Sequence, residues 1–338
     1  MLEHGGQLLR ASQRWGIAPE HWLDLSTGIS PWSWIEERGF KPSARSWHRL
    51  PEESDALDAV AEAYYGAPAL AVAGSQSAIR ALPTLRSRSN VGVLRPSYAE
   101  HAESWRRAGH AVTWLDANSI DTQLDRLDVL VLCRPNNPDG LIFDSQTLRN
   151  WHVRLAHRGG WLVIDEAFVE AQEASSLIDG SVDQGLVVLR SLGKFFGLAG
   201  ARAGFVITDI RLQSRLRNAL GPWRMAGPTR EVASAALQDR EWQTMQRHRL
   251  AHATKRLHHL LGLHGLSPIG HCDLFRYVRL PKARLTQRHF AQQGILVRRF
   301  RKEDALRFGL PGSEADWLRL SGALESQFEP LSAKEISA

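Results

Sequence analysis

Short apolar runs that alternate with helical patterns constrain the fold of this chain more than any other feature. The runs lie at residues 91–94, 111–115, 129–133, 161–165, 186–189 and 204–207, with helical patterns at about 98–108, 145–158 and 170–178 between them. Such alternation is typical of a mostly parallel sheet with helices on both faces. We therefore predict an α/β fold with a ligand site beyond the carboxyl ends of the strands.

The alternation of short apolar runs with helical patterns ends after residue 225. A long helical stretch at 229–263 is followed by strand patterns at 273–280, 295–300 and 317–322, with a helix near 283–293. A chain of 338 residues is long enough for one large and one smaller domain. We predict an amino-terminal arm at 1–30 that contributes to the small domain and the active site, a large domain at 31–225 with the mostly parallel sheet, and a smaller α+β domain at 226–338.

Charge and composition indicate which kinds of ligand and which cellular location to expect. The net charge is +6 without a run of five basic residues, which favours a small anionic substrate over nucleic acid or a membrane. The sequence shows neither a long apolar run nor a signal-peptide pattern, so we expect no membrane span. Two cysteines, Cys133 and Cys272, cannot form a disulfide framework, which favours a cytoplasmic location. We predict no metal site.

A lysine before a Gly-rich loop is the first candidate for chemistry. Ser191 ends an apolar run, Lys194 follows three residues later, and Arg202 comes eight residues after the lysine. A lysine in this position can form a Schiff base with an aldehyde cofactor, and the flanking serine and arginine can bind a phosphate group. Taken alone, the three side chains fit a solvated surface equally well, so the interpretation depends on stretches upstream.

An aspartate at the end of a buried run is the second candidate. Asp165 closes the run 161–165, where an ionised carboxylate requires a cationic partner. The protonated nitrogen of a pyridine ring is such a partner, and the pair would hold the ring as an electron sink. Glu166 is expected only to join the local hydrogen-bond network. Taken alone, Asp165 also fits as the cap of a following helix.

Further stretches supply polar or aromatic groups at strand ends. Asn137, in a tight loop with Pro and Gly, can direct its amide at a ring oxygen, although such a loop is also an ordinary turn. Gly74, Ser75 and Gln76 open a helix whose free backbone N–H groups favour a phosphate, although a plain helix cap fits equally well. The Tyr98 ring can stack on a pyridine face or pack in the core.

In this order and spacing, the features resemble the fold-type I pyridoxal 5′-phosphate (PLP) enzymes of the aminotransferase class I/II family, over nearly the whole chain. The resemblance implies the fold-type I transferase fold, PLP as cofactor and a homodimer with its sites at the interface. It also implies two catalytic residues: Lys194, which binds PLP covalently, and Asp165, which pairs with the pyridine nitrogen. Asn137 would bind the ring oxygen, Tyr98 would stack on the ring, and Arg319 would bind the substrate carboxylate. The residues implied to hold the cofactor phosphate are Gly74, Ser75, Gln76, Ser191 and Arg202.

Two positions depart from the family pattern. Many members carry a tyrosine where this chain has Phe168, and that hydroxyl also binds the ring oxygen. Its loss leaves Asn137 as the main partner of this oxygen. The family often has Tyr-Pro where this chain has Leu50 and Pro51, so the phosphate contact from a neighbouring subunit's tyrosine has no counterpart at this position.

Residues near the amino terminus indicate which group within the family this chain resembles. Residues 3–6 and 23–31, together with 165–168, are similar to the L-threonine-O-3-phosphate decarboxylases of cobalamin biosynthesis. The similarity implies conversion of L-threonine O-3-phosphate to (R)-1-amino-2-propanol O-2-phosphate and CO2. The expected contacts to the phosphorylated substrate are His4, Gly5, Gly6, Arg298 and Arg299, and each charged member of this set also fits a solvent-facing position.

Two alternatives stay open. The first is a histidinol-phosphate aminotransferase, because these enzymes share every cofactor motif. The bond at the substrate Cα that stands perpendicular to the ring decides between decarboxylation and transamination, and the residues alone do not show which bond that is.

The second alternative is a transcriptional regulator, because some regulators carry an aminotransferase-like domain and a basic chain is typical of proteins that bind DNA. Those regulators need an added winged-helix region, whereas the cofactor fold here begins within about 70 residues. The regulator is therefore the remote alternative.

Overall fold

The computed structural model describes residues 3–172, 176–180 and 182–328. Its strands in these ranges are β1 Leu23–Leu25, β2 Ala69–Val72, β3 Asn90–Leu94, β4 Ala111–Leu115, β5 Val129–Cys133, β6 Trp161–Asp165, β7 Leu186–Ser191, β8 Gly204–Thr208, β9 Pro268–Ile269, β10 Phe275–Arg279, β11 Ile295–Phe300 and β12 Ala305–Gly309. Its α-helices are α1 Leu8–Trp15, α2 Trp34–Arg38, α3 Ala44–His48, α4 Leu57–Tyr65, α5 Ser75–Ala81, α6 Ala99–Arg107, α7 Ile120–Gln123, α8 Ser145–Ala156, α9 Ile210–Leu220, α10 Gly227–Gln238, α11 Arg240–Leu263, α12 Ala283–Gln292 and α13 Glu314–Glu325.

The large sheet has seven strands in the order β2-β8-β7-β6-β5-β3-β4. Strands β4, β3, β5, β6 and β7 pair in parallel, while β8 is antiparallel to both of its neighbours, β7 and β2. The predicted mostly parallel sheet is thereby confirmed. In this register Asp165 lies beside Cys133, and Ser191 lies beside Gly204.

Alternate residues of the central strands pack into two separate hydrophobic cores, one on each face of the sheet. Val129 and Val131 of β5 belong to the same buried cluster as Trp105 of α6. Leu130 and Leu132 belong to the cluster on the other face, which also holds α8 and the long helix α11. Because successive side chains of a strand point to opposite faces, an unbroken apolar run is what a strand covered on both sides requires.

The polar residues after the strands meet at one edge of this sheet. Parallel strands β3, β5, β6 and β7 end at the same edge, where Tyr98, Asn137, Asp165 and Lys194 follow them. Strand β8 runs the other way, so the turn before it brings Arg202 to this edge as well. The fold therefore collects residues from four separate stretches, as strand-end sites in such sheets do.

A second sheet of five strands, β1-β11-β12-β10-β9, is built from the carboxyl-terminal part of the chain and one strand of the amino-terminal arm. Strand β1 pairs in parallel with β11, with Leu23 beside Ile295 and Leu25 beside Val297. Gly309 of β12 allows the chain after β1 to pack closely, since a Cβ there would stand 2.6 Å from the Thr27 carbonyl oxygen. The arm is thus part of the small sheet.

The predicted strand at 317–322 is wrong. These residues lie within helix α13, where Trp317, Leu320 and Leu324 are buried at the spacing of one helical face. A short alternation of apolar and polar residues resembles a strand, but the longer window carries the helical period. The strand of this region is instead β12, which the sequence pattern did not reveal.

Two helix predictions also need correction. The described part of the predicted helix 170–178 contains only a 3-10 turn at Val169–Ala171, and residues 173–175 lie outside the described residues. The stretch 229–263 is divided between α10 and α11. Asp239 separates them, because its carboxylate accepts a hydrogen bond from the Trp242 backbone N–H at 3.1 Å and so caps α11.

The boundaries at residues 30 and 225 stay predictions, and residues 1–2 of the predicted arm and 329–338 of the predicted small domain lie outside the described residues. In the part of the chain that the structure describes, none of the helices combines the length and apolar character needed to cross a membrane.

We expect Gly309→Ala to lower the free energy of unfolding by about 1–3 kcal/mol, because the added Cβ overlaps the backbone that follows β1. Gly322→Ala is the matched control: it lies inside α13, no described atom outside the helix's own backbone comes within 4 Å of the added Cβ, and the change should stabilise the protein by up to about 1 kcal/mol. Urea denaturation measures both. Equal effects of the two changes would contradict the proposed packing of the arm.

Candidate active site

Lys194 lies in the turn between β7 and β8 and is half-buried. Its Nζ is 5.6 Å from the centre of the Phe168 ring. Burial and the cation of Arg307 lower the pKa of Lys194 to about 8, with a smaller contribution from Arg202, while the Asp165 carboxylate opposes the shift. A substantial fraction of the amine is therefore neutral near physiological pH, and the neutral amine is the form that attacks a carbonyl carbon.

Asp165 is buried at the end of β6 and is held by two partners. Its Oδ2 lies 2.9 Å from His101 Nε2, and its Oδ1 accepts a hydrogen bond from the Ala167 backbone N–H at 3.1 Å. Burial alone would lower the pKa of His101, but hydrogen bonds to Asp165 and Cys133 outweigh it and raise that pKa to about 10. This shift favours the imidazolium form of His101, whose positive charge would stabilise a negative charge on Asp165 away from water.

Gly74, Ser75, Ser191 and Arg202 form a cradle at the edge of the sheet. A Cβ at Gly74 would stand only 2.8 Å from Arg202 Nη2, so glycine permits the close approach of this guanidinium. Ser191 is buried, and its Oγ accepts the Gly193 backbone N–H at 3.3 Å, which leaves the hydroxyl proton available to donate. One guanidinium, one hydroxyl and the backbone at Ser75 are groups that hold a phosphate.

Arg307 of β12 joins the small sheet to the loop after β5. Its Nη1 donates to Asn137 Oδ1 at 2.6 Å and its Nη2 to the Ser26 carbonyl at 3.0 Å. Its Nε is buried and has no hydrogen-bond partner among the described residues. Burial and the nearby charge of Arg298 lower the pKa of Arg307 to about 10, so it stays a cation at neutral pH. An unpartnered buried donor of this kind requires a ligand or water.

Tyr98 belongs to a chain of polar contacts beside the aspartate. Its hydroxyl donates to Gln76 Oε1 at 3.0 Å, and Gln76 Nε2 donates to Glu100 at 3.0 Å. Glu100 also lies 2.9 Å from His4 Nε2. The Tyr98 ring meets the His101 ring edge-on, with 5.9 Å between their centres. Because the amide of Gln76 is occupied, its predicted role toward a phosphate depends on its backbone N–H.

The amino-terminal glycines pack against the residue that Arg307 contacts. The Gly6 backbone N–H donates to Ser26 Oγ at 2.8 Å, and a Cβ at Gly5 would stand 2.3 Å from the Ser26 carbonyl oxygen. Arg298 of β11 donates to a backbone carbonyl of the same amino-terminal segment. The structure therefore brings these predicted substrate contacts to the side of the site where Arg307 lies.

Phe168 forms an apolar wall beside the lysine. Its ring packs edge-on against Phe275, with 5.3 Å between ring centres. A Cβ at Gly28 would stand 2.8 Å from Phe168 Cε1, so the arm closes over this ring. The wall offers no hydroxyl group, which agrees with Asn137 as the main partner of a ring oxygen.

Glu166, next to the catalytic candidate, belongs to a buried ionic network. It accepts hydrogen bonds from Arg190 Nη1 at 3.2 Å and from the Leu177 backbone N–H at 2.8 Å. Arg190 also pairs with Glu170 at 2.8 Å. These contacts are those of the local hydrogen-bond network expected from the sequence.

The structure does not bring Arg319 to the site. This arginine is exposed on α13, and its Nη2 donates to the backbone carbonyls of His21, Gln293 and Gly294 at 2.9, 3.2 and 3.1 Å. The role toward the substrate carboxylate that the family resemblance implied for Arg319 is therefore wrong, because its guanidinium is bound to these backbone carbonyls. Arg307 lies at the site instead, because it bonds to Asn137 and its charge lowers the pKa of Lys194.

Two site residues were missed in the sequence, although each had a signal. Arg307 stands between Leu306 and Phe308 in a short apolar run, where a buried cation requires a partner. His101 lies about one helical turn after Tyr98, on a helix that begins at the same sheet edge. Neither signal is specific, because one residue between apolar neighbours fits an exposed strand position equally well.

The donor set fits PLP. A buried carboxylate matches a protonated pyridine nitrogen, and the amine of Lys194 is available for a covalent bond. The cradle that a Cβ at Gly74 would fill matches a phosphate. Because Asn137 Oδ1 already accepts a hydrogen bond from Arg307, its amide N–H group is left to donate to a ring oxygen.

Comparisons with known proteins identify the family. The model of the family described as aminotransferase class I and II matches residues 57–324. A threonine-phosphate decarboxylase of Pseudomonas aeruginosa is 48% identical over 335 residues, covering 98% of this chain and 99% of that protein. Another, of Sinorhizobium sp, is 36% identical and covers 96% of this chain and 97% of that protein.

The solved structures show how widely the fold is shared. The histidinol-phosphate aminotransferase of Clostridium acetobutylicum superposes with a TM-score of 0.79 at 20% identity, covering 90% of this chain and 98% of that one. At this identity the likeness establishes the fold alone.

We expect the reactivity of Lys194 in the cofactor-free protein to rise with pH around a midpoint near 8, because deprotonation creates the nucleophilic amine. Arg307→Gln should move the midpoint to higher pH, since it removes a cation that disfavours the charged amine. Acetylation by a small neutral reagent, followed by peptide mass spectrometry, measures the profile, with exposed Lys41 as internal reference. An unchanged midpoint in the variant would contradict the role of Arg307.

Proposed function

The chain belongs to the aminotransferase class I and II family, and we propose that it is a threonine-phosphate decarboxylase. It converts L-threonine O-3-phosphate to (R)-1-amino-2-propanol O-2-phosphate and CO2 in cobalamin biosynthesis. The observation that supports this function is the 48% identity to the Pseudomonas aeruginosa enzyme over nearly the full length of both chains.

The cofactor is PLP, bound through Lys194. Two cysteines that are both free and buried support a cytoplasmic location.

Asp165 and His101 maintain the charge that the cofactor requires. Bound PLP acts as an electron sink for the pair of electrons left when a bond at the substrate Cα breaks. Asp165 stabilises the protonated pyridine nitrogen, and His101 keeps that aspartate ionised in a buried position. Ser75, Ser191 and Arg202 hold the phosphate group, and Tyr98 covers the ring.

The substrate lies between Arg307 and Arg298. These two arginines are direct cross-strand partners on β12 and β11, so their side chains leave the same face of the small sheet. Arg307 binds the substrate carboxylate, and Arg298 with the His4–Gly6 segment binds its phosphate. Two anionic groups on one small molecule suit two neighbouring guanidinium groups.

Lys194 completes the reaction as an acid and base. Lys194 would hold PLP through its Nζ, and as a free amine it could move a proton at the substrate Cα. Its pKa of about 8 lets it hold or give up a proton at neutral pH. Lys194 would supply the proton that Cα requires when CO2 is lost, and Phe168 would exclude water from that side.

The enzyme works as a homodimer in this proposal. Exposed apolar side chains support an interface: Trp47 is 73% exposed, Leu50 64% and Trp223 55%. A mass of one chain in sedimentation velocity at micromolar concentration would contradict the dimer, whereas twice that mass is expected.

We expect the holoenzyme to release CO2 and aminopropanol phosphate in equal amounts from L-threonine O-phosphate without any oxo acid. Lys194→Ala should abolish release, because the covalent attachment and the proton donor are both lost. Trapped ¹⁴CO2 and phosphorus NMR measure the two products. Amino transfer from histidinol phosphate to 2-oxoglutarate, without CO2 release, would instead establish an aminotransferase and leave the PLP site intact.

Arg307→Gln should raise KM for L-threonine O-phosphate by roughly 10–100-fold, because a charge-assisted bidentate contact is lost. The matched variant Arg319→Gln should change KM less than about twofold, since that guanidinium caps backbone carbonyls away from the site. Steady-state kinetics with the cofactor absorbance as a loading control measures both. A larger effect at Arg319 would overturn the assignment.

A further inference from the structure

A carboxylate lies beside groups that meet an anionic substrate in the proposed reaction. It belongs to Glu100 in the first turn of α6, whose side chain is only 14% exposed. Its Oε1 lies 2.9 Å from His4 Nε2, and its Oε2 accepts a hydrogen bond from Gln76 Nε2 at 3.0 Å. No step of the reaction described above uses this carboxylate, so its position requires another explanation.

The hydrogen bonds around Glu100 run in one direction. Because a carboxylate only accepts, His4 carries a proton on Nε2, and Gln76 presents its amide nitrogen to Glu100. The amide oxygen of Gln76 then faces Tyr98, whose hydroxyl donates to it at 3.0 Å. Burial, with the charges of Asp165 and Glu100, raises the pKa of Tyr98, so the hydroxyl keeps the proton that it donates. One carboxylate thus decides the orientation of three side chains.

The contact between His4 and Glu100 also joins the amino-terminal arm to the large sheet. Arg298 of β11 donates to the backbone carbonyl of Glu3, which ties the same segment to the small sheet. Glu100 lies on α6, which packs against α5 at the edge where the cofactor phosphate is expected. The segment therefore spans from one sheet to the other, and Glu100 is its partner on the large-sheet side.

We propose that Glu100 is a positioning residue of the reaction. It holds His4 at the substrate side of the site and, through Gln76, fixes the Tyr98 ring that covers PLP. The rings of His4 and Tyr98 are neighbours, with 6.0 Å between their centres. This role rests on the proposed function, because the parts played by His4 and Tyr98 belong to it.

Glu100→Gln tests this role with almost no change in side-chain size. A glutamine offers one accepting oxygen where the carboxylate offers two, so at least one bond between His4 and Tyr98 is lost. We expect the visible circular dichroism of PLP in the substrate-free holoenzyme to weaken, because the ring loses part of its fixed surroundings. Glu103→Gln is the matched control: Glu103 lies on the same helix and pairs with Arg107, so the signal should equal that of the parent. An unchanged signal in Glu100→Gln would overturn the role.

The effect of Glu100 on substrate binding should pass through His4. We expect Glu100→Gln to raise KM for L-threonine O-phosphate about 5–10-fold, with kcat within about twofold of the parent. In the His4→Gln background the same change should alter KM less than about twofold, because the imidazole that it positions is already absent. Effects that multiply in the double variant would show that the two residues act independently and would refute the positioning of His4.

The circular dichroism needs no turnover, so it decides the role of Glu100 toward the cofactor ring even if the parent releases no CO2. A weakened signal without CO2 release would overturn the proposed decarboxylase and retain the positioning of the ring. Thermal melting shows whether each variant is folded. If Glu100→Gln is unfolded, Tyr98→Phe gives the same test, because it removes only the donor at the other end of the chain of bonds. An unchanged dichroism in Tyr98→Phe would then refute the role.

Discussion

The site depends on the contact between His101 and the carboxylate of Asp165, which is buried at the end of the central strand β6. A charge in this position is unfavourable unless it is paired, and the structure pairs it with His101 from a neighbouring helix. In our proposal this pair would fix the place and the protonation state of the PLP ring. The cradle around Arg202, the amine of Lys194 and the amide of Asn137 would then surround that ring, at the edge of the sheet where the parallel strands end.

Arg307 has a second organising role, because it connects three parts of the chain. Its guanidinium contacts the loop after β5 and the arm after β1, and its backbone belongs to the small sheet. It also contributes to the low pKa of Lys194. The residue that binds substrate in our proposal therefore also tunes the nucleophile, so substrate binding, which neutralises part of this charge, is expected to alter the proton affinity of the lysine.

The sequence predicted the large sheet well, and it placed Lys194, Asp165 and Asn137 at one edge of that sheet, because both predictions depend on local signals. Unbroken apolar runs identify strands buried on both faces, and the residues that follow those runs must lie at one edge. It failed at Arg319 and Arg307. A run such as 317–322 carries too few residues to separate a strand period from a helical one, and the burial of one face of α13 decides the matter.

The sequence by itself determined the order along the chain of the groups that we propose to hold PLP, since Asp165 ends a recognisable strand and Asn137 and Lys194 follow two others. Only the tertiary structure decided which arginine faces them, that His101 pairs with Asp165, and that the arm carries His4 to Glu100. These contacts join residues 64 to 281 positions apart. No local pattern encodes such pairs, because they form only when the packing of two sheets brings distant stretches together.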